Sequence, residues 1–354
     1  MKKILFATTA LFALGGVTAA VADVSISGHV RFHYGSWKDD KVDTATPNHV
    51  VNAKTGAIEN KPADVTGNNN NAMSTDPEIW IKGNMVTENG LTVAPEIRIK
   101  GGDAKSTRHY IRLSDDWGTV TLGHQHSPAR LMSVDGEWRG TVSGASSPVG
   151  ADTGSDMMTN AAVGSYADGK VARIICQTPN ISGFQFGVSA GDAGSGSKAN
   201  PTDFALVYNM DAFEIGALTF GYAASNTAAE NDSGNKNTDN QFGIALDTGT
   251  VGASFVRTSK KAKPKMGEES KQTGTELELN YSAGDNLKLV LHMFNAKGDS
   301  GKLQGQKYKS TGVGVKYTIT PGLWTSVGYN TFNTTKSGAK QKGNAMRIRI
   351  HAGF

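Results

Sequence analysis

Met346-Arg347-Ile348-Arg349-Ile350-His351-Ala352-Gly353-Phe354, the last nine residues of the chain, alternate strictly between two kinds of side chain. A two-residue period sends Met346, Ile348, Ile350, Ala352 and Phe354 to one face of a strand and Arg347, Arg349 and His351 to the other. Such a strand needs a partner along its edge and an apolar medium for one face. A closed barrel in a membrane supplies both, with lipid outside, a wet lumen inside and a first strand to pair with. The remaining residues decide whether that barrel exists.

The first residues read as an export signal. Lys2 and Lys3 precede an apolar stretch over 4–17, and Ala20-Val21-Ala22 gives a small-x-small cleavage site before Asp23, with Thr18-Ala19-Ala20 as the alternative. The apolar stretch is too short to span a bilayer and no second one follows it. The expected division is a signal peptide over 1–22 and one domain over 23–354. Formal charge is +4, falling to +2 without Lys2 and Lys3, which is too mild to point to nucleic acid. Apolar residues make up 38% and glycines number 43; with no run near 18 apolar residues, a helical membrane protein is excluded. Cys176 is the single cysteine, so the chain cannot form an internal disulfide framework.

Gly, Asn, Asp and Pro divide the chain into sixteen segments, mostly of roughly 9–12 residues, the length of a tilted membrane strand. They fall at 24–34, 77–87, 91–101, 107–115, 118–125, 170–177, 183–191, 202–210, 215–224, 239–248, 250–258, 272–283, 286–297, 308–319, 323–333 and 343–354. Their connections alternate in length. Short ones lie at 88–90, 115–117, 178–182, 211–213, 248–249, 284–285 and 320–322; longer ones lie at 37–76, 102–106, 126–169, 192–201, 225–238, 259–271, 298–307 and 334–342. A 16-stranded antiparallel up-and-down transmembrane β-barrel demands this sorting, and a soluble β sandwich does not.

Facing follows from parity. In the first segment Val24, Ile26, Val30, Phe32 and Tyr34 oppose Ser25, Ser27, His29, Arg31 and His33, and Leu277, Leu279 and Tyr281 oppose Glu276, Glu278 and Asn280. So many ionic groups on the inner face require a wet interior. Tyr208, Tyr281 and Tyr317 near short turns suit an interfacial girdle. The segments 107–125 and 170–177 alternate poorly, and the run Asn68–Asn71 argues against rigid structure in the first long connection.

The whole chain resembles the general porins of Gram-negative outer membranes, most closely their alphaproteobacterial branch. The likeness rests on Asp23-Val24-Ser25-Ile26-Ser27-Gly28, on Trp117-Gly118-Thr119-Val120-Thr121-Leu122-Gly123 leading into the third long loop, and on Pro179-Asn180-Ile181-Ser182-Gly183-Phe184-Gln185-Phe186-Gly187. The resemblance implies a homotrimer of barrels in the outer membrane, each with a channel narrowed by the third long loop folding into the lumen. It also implies that Phe354 carries the signal for barrel assembly.

Such a channel passes ions and small hydrophilic solutes, with selectivity set by width and lining charge. The third loop offers Asp135, Glu137, Asp152 and Asp156 as constriction acids, a placement that rests on the resemblance. The basic side follows from parity: once the last strand pairs with the first, Arg347, Arg349 and His351 lie beside His29, Arg31 and His33. Lys82, Arg98, Lys100, Arg108 and Arg112 continue the stripe. A stripe of this sign predicts an anion preference.

Lys260-Lys261-Ala262-Lys263-Pro264-Lys265, assigned to an external loop, would meet lipopolysaccharide phosphates or simply be solvated. No catalytic cluster stands out beyond His124, His126 and Ser127, which carry no hydrolase motif. No cofactor is expected, and calcium on loop carboxylates has no regular ligand spacing behind it. The rival readings are a substrate-selective channel of the same fold and a soluble periplasmic binding or adhesion protein. A sugar-selective pore needs an aromatic track, and the inward aromatics read as few and scattered.

Overall fold

The computed structural model describes residues 23–39, 48–51, 58–61, 69–101, 105–134, 170–192, 199–212, 215–229, 236–264, 267–336 and 339–354. The segment 1–22 assigned to a signal peptide lies outside the described residues. So do Asp135, Glu137, Asp152 and Asp156.

The chain opens with β1 (Asp23–Asp39), followed by a small separate hairpin of β2 (Asn48–Val51) and β3 (Ile58–Lys61). The next strands are β4 (Asn69–Val86), β5 (Thr92–Lys100), β6 (Lys105–Asp115) and β7 (Gly118–Gln125). One helical turn, α1 (Pro128–Leu131), precedes β8 (Val171–Gln177), β9 (Phe184–Asp192), β10 (Ala199–Ala212) and β11 (Gly216–Ala229). Then come β12 (Lys236–Asp247), β13 (Val251–Lys263), β14 (Ser270–Ala283) and β15 (Leu287–Ser300). The last three are β16 (Lys307–Thr320), β17 (Leu323–Lys336) and β18 (Ala339–Gly353). All but β2 and β3 join one closed antiparallel barrel of sixteen strands, in which β18 returns to pair with β1. Closure leaves no unpaired strand edge, which a bilayer would not tolerate.

Every expected segment has its strand, and the short-turn ends agree within about two residues. At the other rim the strands run further than alternation indicated. The Asn run is not loose: Asn69, Asn70 and Asn71 belong to β4 and pair with Lys38, Trp37 and Ser36. Lys260 to Lys263 likewise belong to β13 rather than to a loop. Of the connection expected over 334–342, only 337–338 separates β17 from β18.

Facing holds around the barrel. Val24, Ile26, Val30 and Phe32 are exposed on the outside, as are Leu277, Leu279, Tyr281, Val313, Val315, Tyr317 and Ile319. Tyr281 and Tyr317 stand near the short-turn rim, and Tyr208 stacks on Phe184 with ring centroids 4.1 Å apart. Cys176 is exposed on the same outer face. β8 alternates poorly because Ile175 points inward and is fully buried while Ile174 is exposed outside, so apolar residues occupy both faces.

Small inward residues make room for the start of the third connection. Ala129 and Met132 pack with Ala205 and Ala223. Val134 lies over Gly221 and Gly243, at the places where Cβ atoms would stand. Val134 also joins a cluster with Val256, Phe294, Ala296, Tyr308 and Phe332, and its carbonyl accepts a bond from Gln241 Nε2 at 3.0 Å. Beneath this segment Arg173 and Asp203 form a buried ion pair of 2.7 Å, with Ser189 donating to the same carboxylate at 2.8 Å.

Candidate functional site: the charged lumen wall

The ladder fixes which side chains share the inner wall. β18 pairs with β1 so that Arg31 stands opposite His351, His33 opposite Arg349 and Gly35 opposite Arg347. On the other side of β1, Ser25 faces Lys82, His29 faces Glu78 and Arg31 faces Asp76. Trp80 then stands opposite Arg98, Glu78 opposite Lys100, and Arg98 opposite Arg108. Parity adds Arg112 to this row, opposite Thr121. All eleven residues of the expected basic stripe therefore lie on one continuous stretch of inner wall, over β18, β1, β4, β5 and β6.

The wall is not purely basic. Asp76, Glu78 and Glu96 interleave with it. Asp76 meets Lys100 at 3.1 Å and Arg31 at 3.5 Å, Glu96 meets Lys82 at 4.0 Å, and the fully buried Glu78 is clamped by Arg98 with Lys100 4.0 Å away. Among the described residues, eight Arg and Lys side chains thus share this wall with three carboxylates, a cationic excess without counting histidine. The guanidinium groups also lean on neutral acceptors: Arg31 Nε donates to His351 Nδ1 at 3.2 Å, and Arg347 Nη2 contacts His33 Nδ1 at 3.1 Å. Each such contact orients a charge without cancelling it.

Eight strands around the barrel from β18, β4 and β6 stand β10, β12 and β14. They carry inward Asp203, Asp239, Glu276 and Glu278, all buried. Arg173 pairs with Asp203, and His292 Nε2 lies 2.8 Å from Glu276. Parity in the sequence sets Glu276 and Glu278 inward, whereas Asp203 and Asp239 are not among the acids it names, and an opposed acidic wall is expected only from the third loop.

Four of the inward rings form one row. His29 contacts Trp80 at 5.1 Å and His351 at 4.9 Å, and His351 stacks on Trp324 at 4.8 Å with planes 12° apart. The row is invisible in the sequence because its four rings come from strands that are distant along the chain and meet only at the barrel seam. His124 and Ser127, by contrast, do not converge on a site. His124 stacks on the outward His109 at 5.2 Å, whereas Ser127 is buried at the start of α1. Among the described residues no group of three His, Cys, Asp or Glu could hold a metal ion.

The Gram-negative porin family profile matches residues 7–337. Among solved structures, an anion-selective porin from Comamonas acidovorans is similar at 14% identity and TM-score 0.68, covering 94% of this chain and 100% of that one. OmpT of Vibrio cholerae matches at 10% identity and TM-score 0.67, covering 96% and 99%. The outer membrane channel DcaP of Acinetobacter baumannii matches at 12% identity and TM-score 0.61, covering 96% and 100%. No curated protein sequence matches the chain. At these identities the neighbours establish the fold, and the profile establishes membership: the chain belongs to the Gram-negative porins and is an outer-membrane channel.

Proposed function

We propose that this porin is a general diffusion channel with a preference for small anions, set by His29, Arg31, His33, Lys82, Arg98, Lys100, Arg108, Arg112, Arg347, Arg349 and His351. The observation that carries the reading is the excess of cations on β18, β1, β4, β5 and β6, facing buried carboxylates across the lumen. In a water-filled pore with low-dielectric walls, fixed charge of one sign raises the local concentration of the opposite ion. The neighbour named an anion-selective porin fits the same reading.

The third connection narrows the lumen in this reading, since its first residues, up to Val134, already pack on inward side chains. Asp135, Glu137, Asp152 and Asp156 would then face the basic wall. The working unit is a homotrimer, as in the trimer form of OmpT. Water-filled lumen chemistry of this kind calls for neither a catalytic group nor a cofactor.

The lipid partner is lipopolysaccharide. Outside the barrel, Arg257, Thr275, Asn295, Lys309, Asn333 and Lys342 form one lateral row across β13 to β18. Lys297 and Lys307 pair in the next row towards the long loops. These exposed cations begin one row above Thr311 and two above Val313 and Tyr329, where phosphates of an outer leaflet would lie. Among the cations on this face Lys261 is held by Glu269 at 3.0 Å and Lys297 by Asp299 at 3.1 Å.

Reversal potentials across planar bilayers in a salt gradient test the channel reading. Anion selectivity is expected; clear cation selectivity would sink it.

A further inference from the structure

The row of rings on the inner wall has charged ends. Arg98 lies over Trp80 at 5.7 Å, while Lys316 and Arg349 lie over Trp324 at 4.8 and 5.8 Å. The sequence in space is therefore Lys316, Trp324, His351, His29, Trp80 and Arg98, one side chain from each of six adjacent strands. Trp324 is the second residue of β17 and Arg98 the seventh of β5, each counted from the short-turn rim. The row runs from strand to strand around the lumen wall, and a solute passing that stretch of wall meets it.

A halide channel has no need of such a row. Charge alone concentrates chloride, and two half-buried indoles on a wet wall expose apolar surface that polar residues would not. The arrangement has a chemical use if the solute itself carries a ring. Guanidinium groups bind carboxylates through paired donors, and Arg31 stands directly against His351 through its 3.2 Å bond. A carboxylate at Arg31 therefore leaves the rest of the molecule against His351 and Trp324. Planar conjugated rings gain there by offset or edge-to-face contact, whereas saturated rings of the same size gain only from apolar contact.

We propose that the Trp324–His351–His29–Trp80 row is a binding track for aromatic carboxylates, its accessible faces on Trp324, His351 and Trp80 and the buried His29 bridging them, selecting planar ring acids among the anions the channel admits. The proposal rests on the anion-channel reading and adds a solute class to it. The test uses the full-length protein in planar bilayers, with chloride current titrated by benzoate or by cyclohexanecarboxylate. The two acids carry the same charge and differ in the planarity of the ring.

Benzoate is expected to half-block the current at a concentration about three- to tenfold lower, the range one aromatic contact supplies. Equal potency of the two acids, or no block by either, overturns the track. This comparison on the unaltered protein decides the matter whether or not any variant folds. In Trp80→Leu/Trp324→Leu the benzoate advantage should disappear while the reversal potential stays anionic. Retained discrimination in that folded variant also overturns the proposal. A cation-selective reversal potential in the unaltered protein, by contrast, defeats the underlying channel reading.

Discussion

Gly28 and Phe354 exchange two backbone hydrogen bonds, each 3.0 Å long, where the first and last barrel strands meet. The Phe354 ring lies so close that a Cβ on Gly28 would stand 2.8 Å from its Cζ. Glycine is therefore required by space at this position. Gly28→Val should lose about 1–3 kcal/mol through overpacking at the seam. Phe354→Ala should lose less, because the ring is 65% exposed on the outer face. Unfolding midpoints from heat-modifiable gel mobility check the order; a larger loss in Phe354→Ala would place the ring's main contact elsewhere.

A second prediction concerns the clamp between Arg98 and Glu78. Glu78 is 1% exposed, so Arg98→Ser leaves a buried carboxylate whose remaining salt-bridge partner among the described residues is Lys100, 4.0 Å away. Removing one partner of a buried pair typically costs about 3–5 kcal/mol, and adding Glu78→Gln should recover much of it. Selectivity is then best tested with Arg31→Ser/Arg98→Ser in the Glu78→Gln background. The anion-to-cation permeability ratio should fall relative to Glu78→Gln alone, by about twofold or more. An unchanged reversal potential would remove these two arginines from the narrow part of the pore.

The residues explain which parts of this barrel were legible beforehand. Alternation marks a strand only where one face meets lipid and the other water. Val24 to Phe32 and Leu277 to Tyr281 satisfy that condition, and both were read correctly in place and facing. Beyond the lipid belt both faces are wet, so Asn69 to Asn71 and Lys260 to Lys263 continue their ladders with no apolar signature. The basic stripe was legible because parity and end-to-end pairing suffice to assemble it. Asp76 escaped because it fell within the first long connection, and the ring row escaped because spatial adjacency of Trp324, His351, His29 and Trp80 depends on register. No single-strand pattern carries register.

The seating of residues 128–134 gives a third prediction. Gly221 and Gly243 are both filled by Val134, 2.6 Å from where each Cβ would stand. Gly243→Val should displace this segment while leaving the backbone ladder between Gly243 and Val256 intact. Asp203→Ala acts on the support below, exposing Arg173 to a buried site without its carboxylate, at about 3–5 kcal/mol. Single-channel conductance should change in Gly243→Val with heat-modifiable mobility preserved. Unaltered conductance would mean that the start of the third connection does not bear on the pore.

The outer basic rows give the last prediction. Lys307, Lys309 and Lys342 lie on strands whose backbone bonds do not involve their side chains, so Lys→Gln at all three should leave the barrel folded. Their removal takes three charges from the face that would meet lipid phosphates. Each basic residue near an anionic surface contributes about 1 kcal/mol at moderate salt, so the triple variant should retain markedly less lipopolysaccharide after detergent washing. A parallel comparison of native protein with phosphorylated and dephosphorylated lipid A separates charge from acyl-chain contact. If the phosphate is the recognised group, only the phosphorylated lipid should raise the unfolding midpoint, and the triple variant should lose that increment. Equal stabilisation by both lipids would assign this face to apolar contact with the chains, and the cations above it to water.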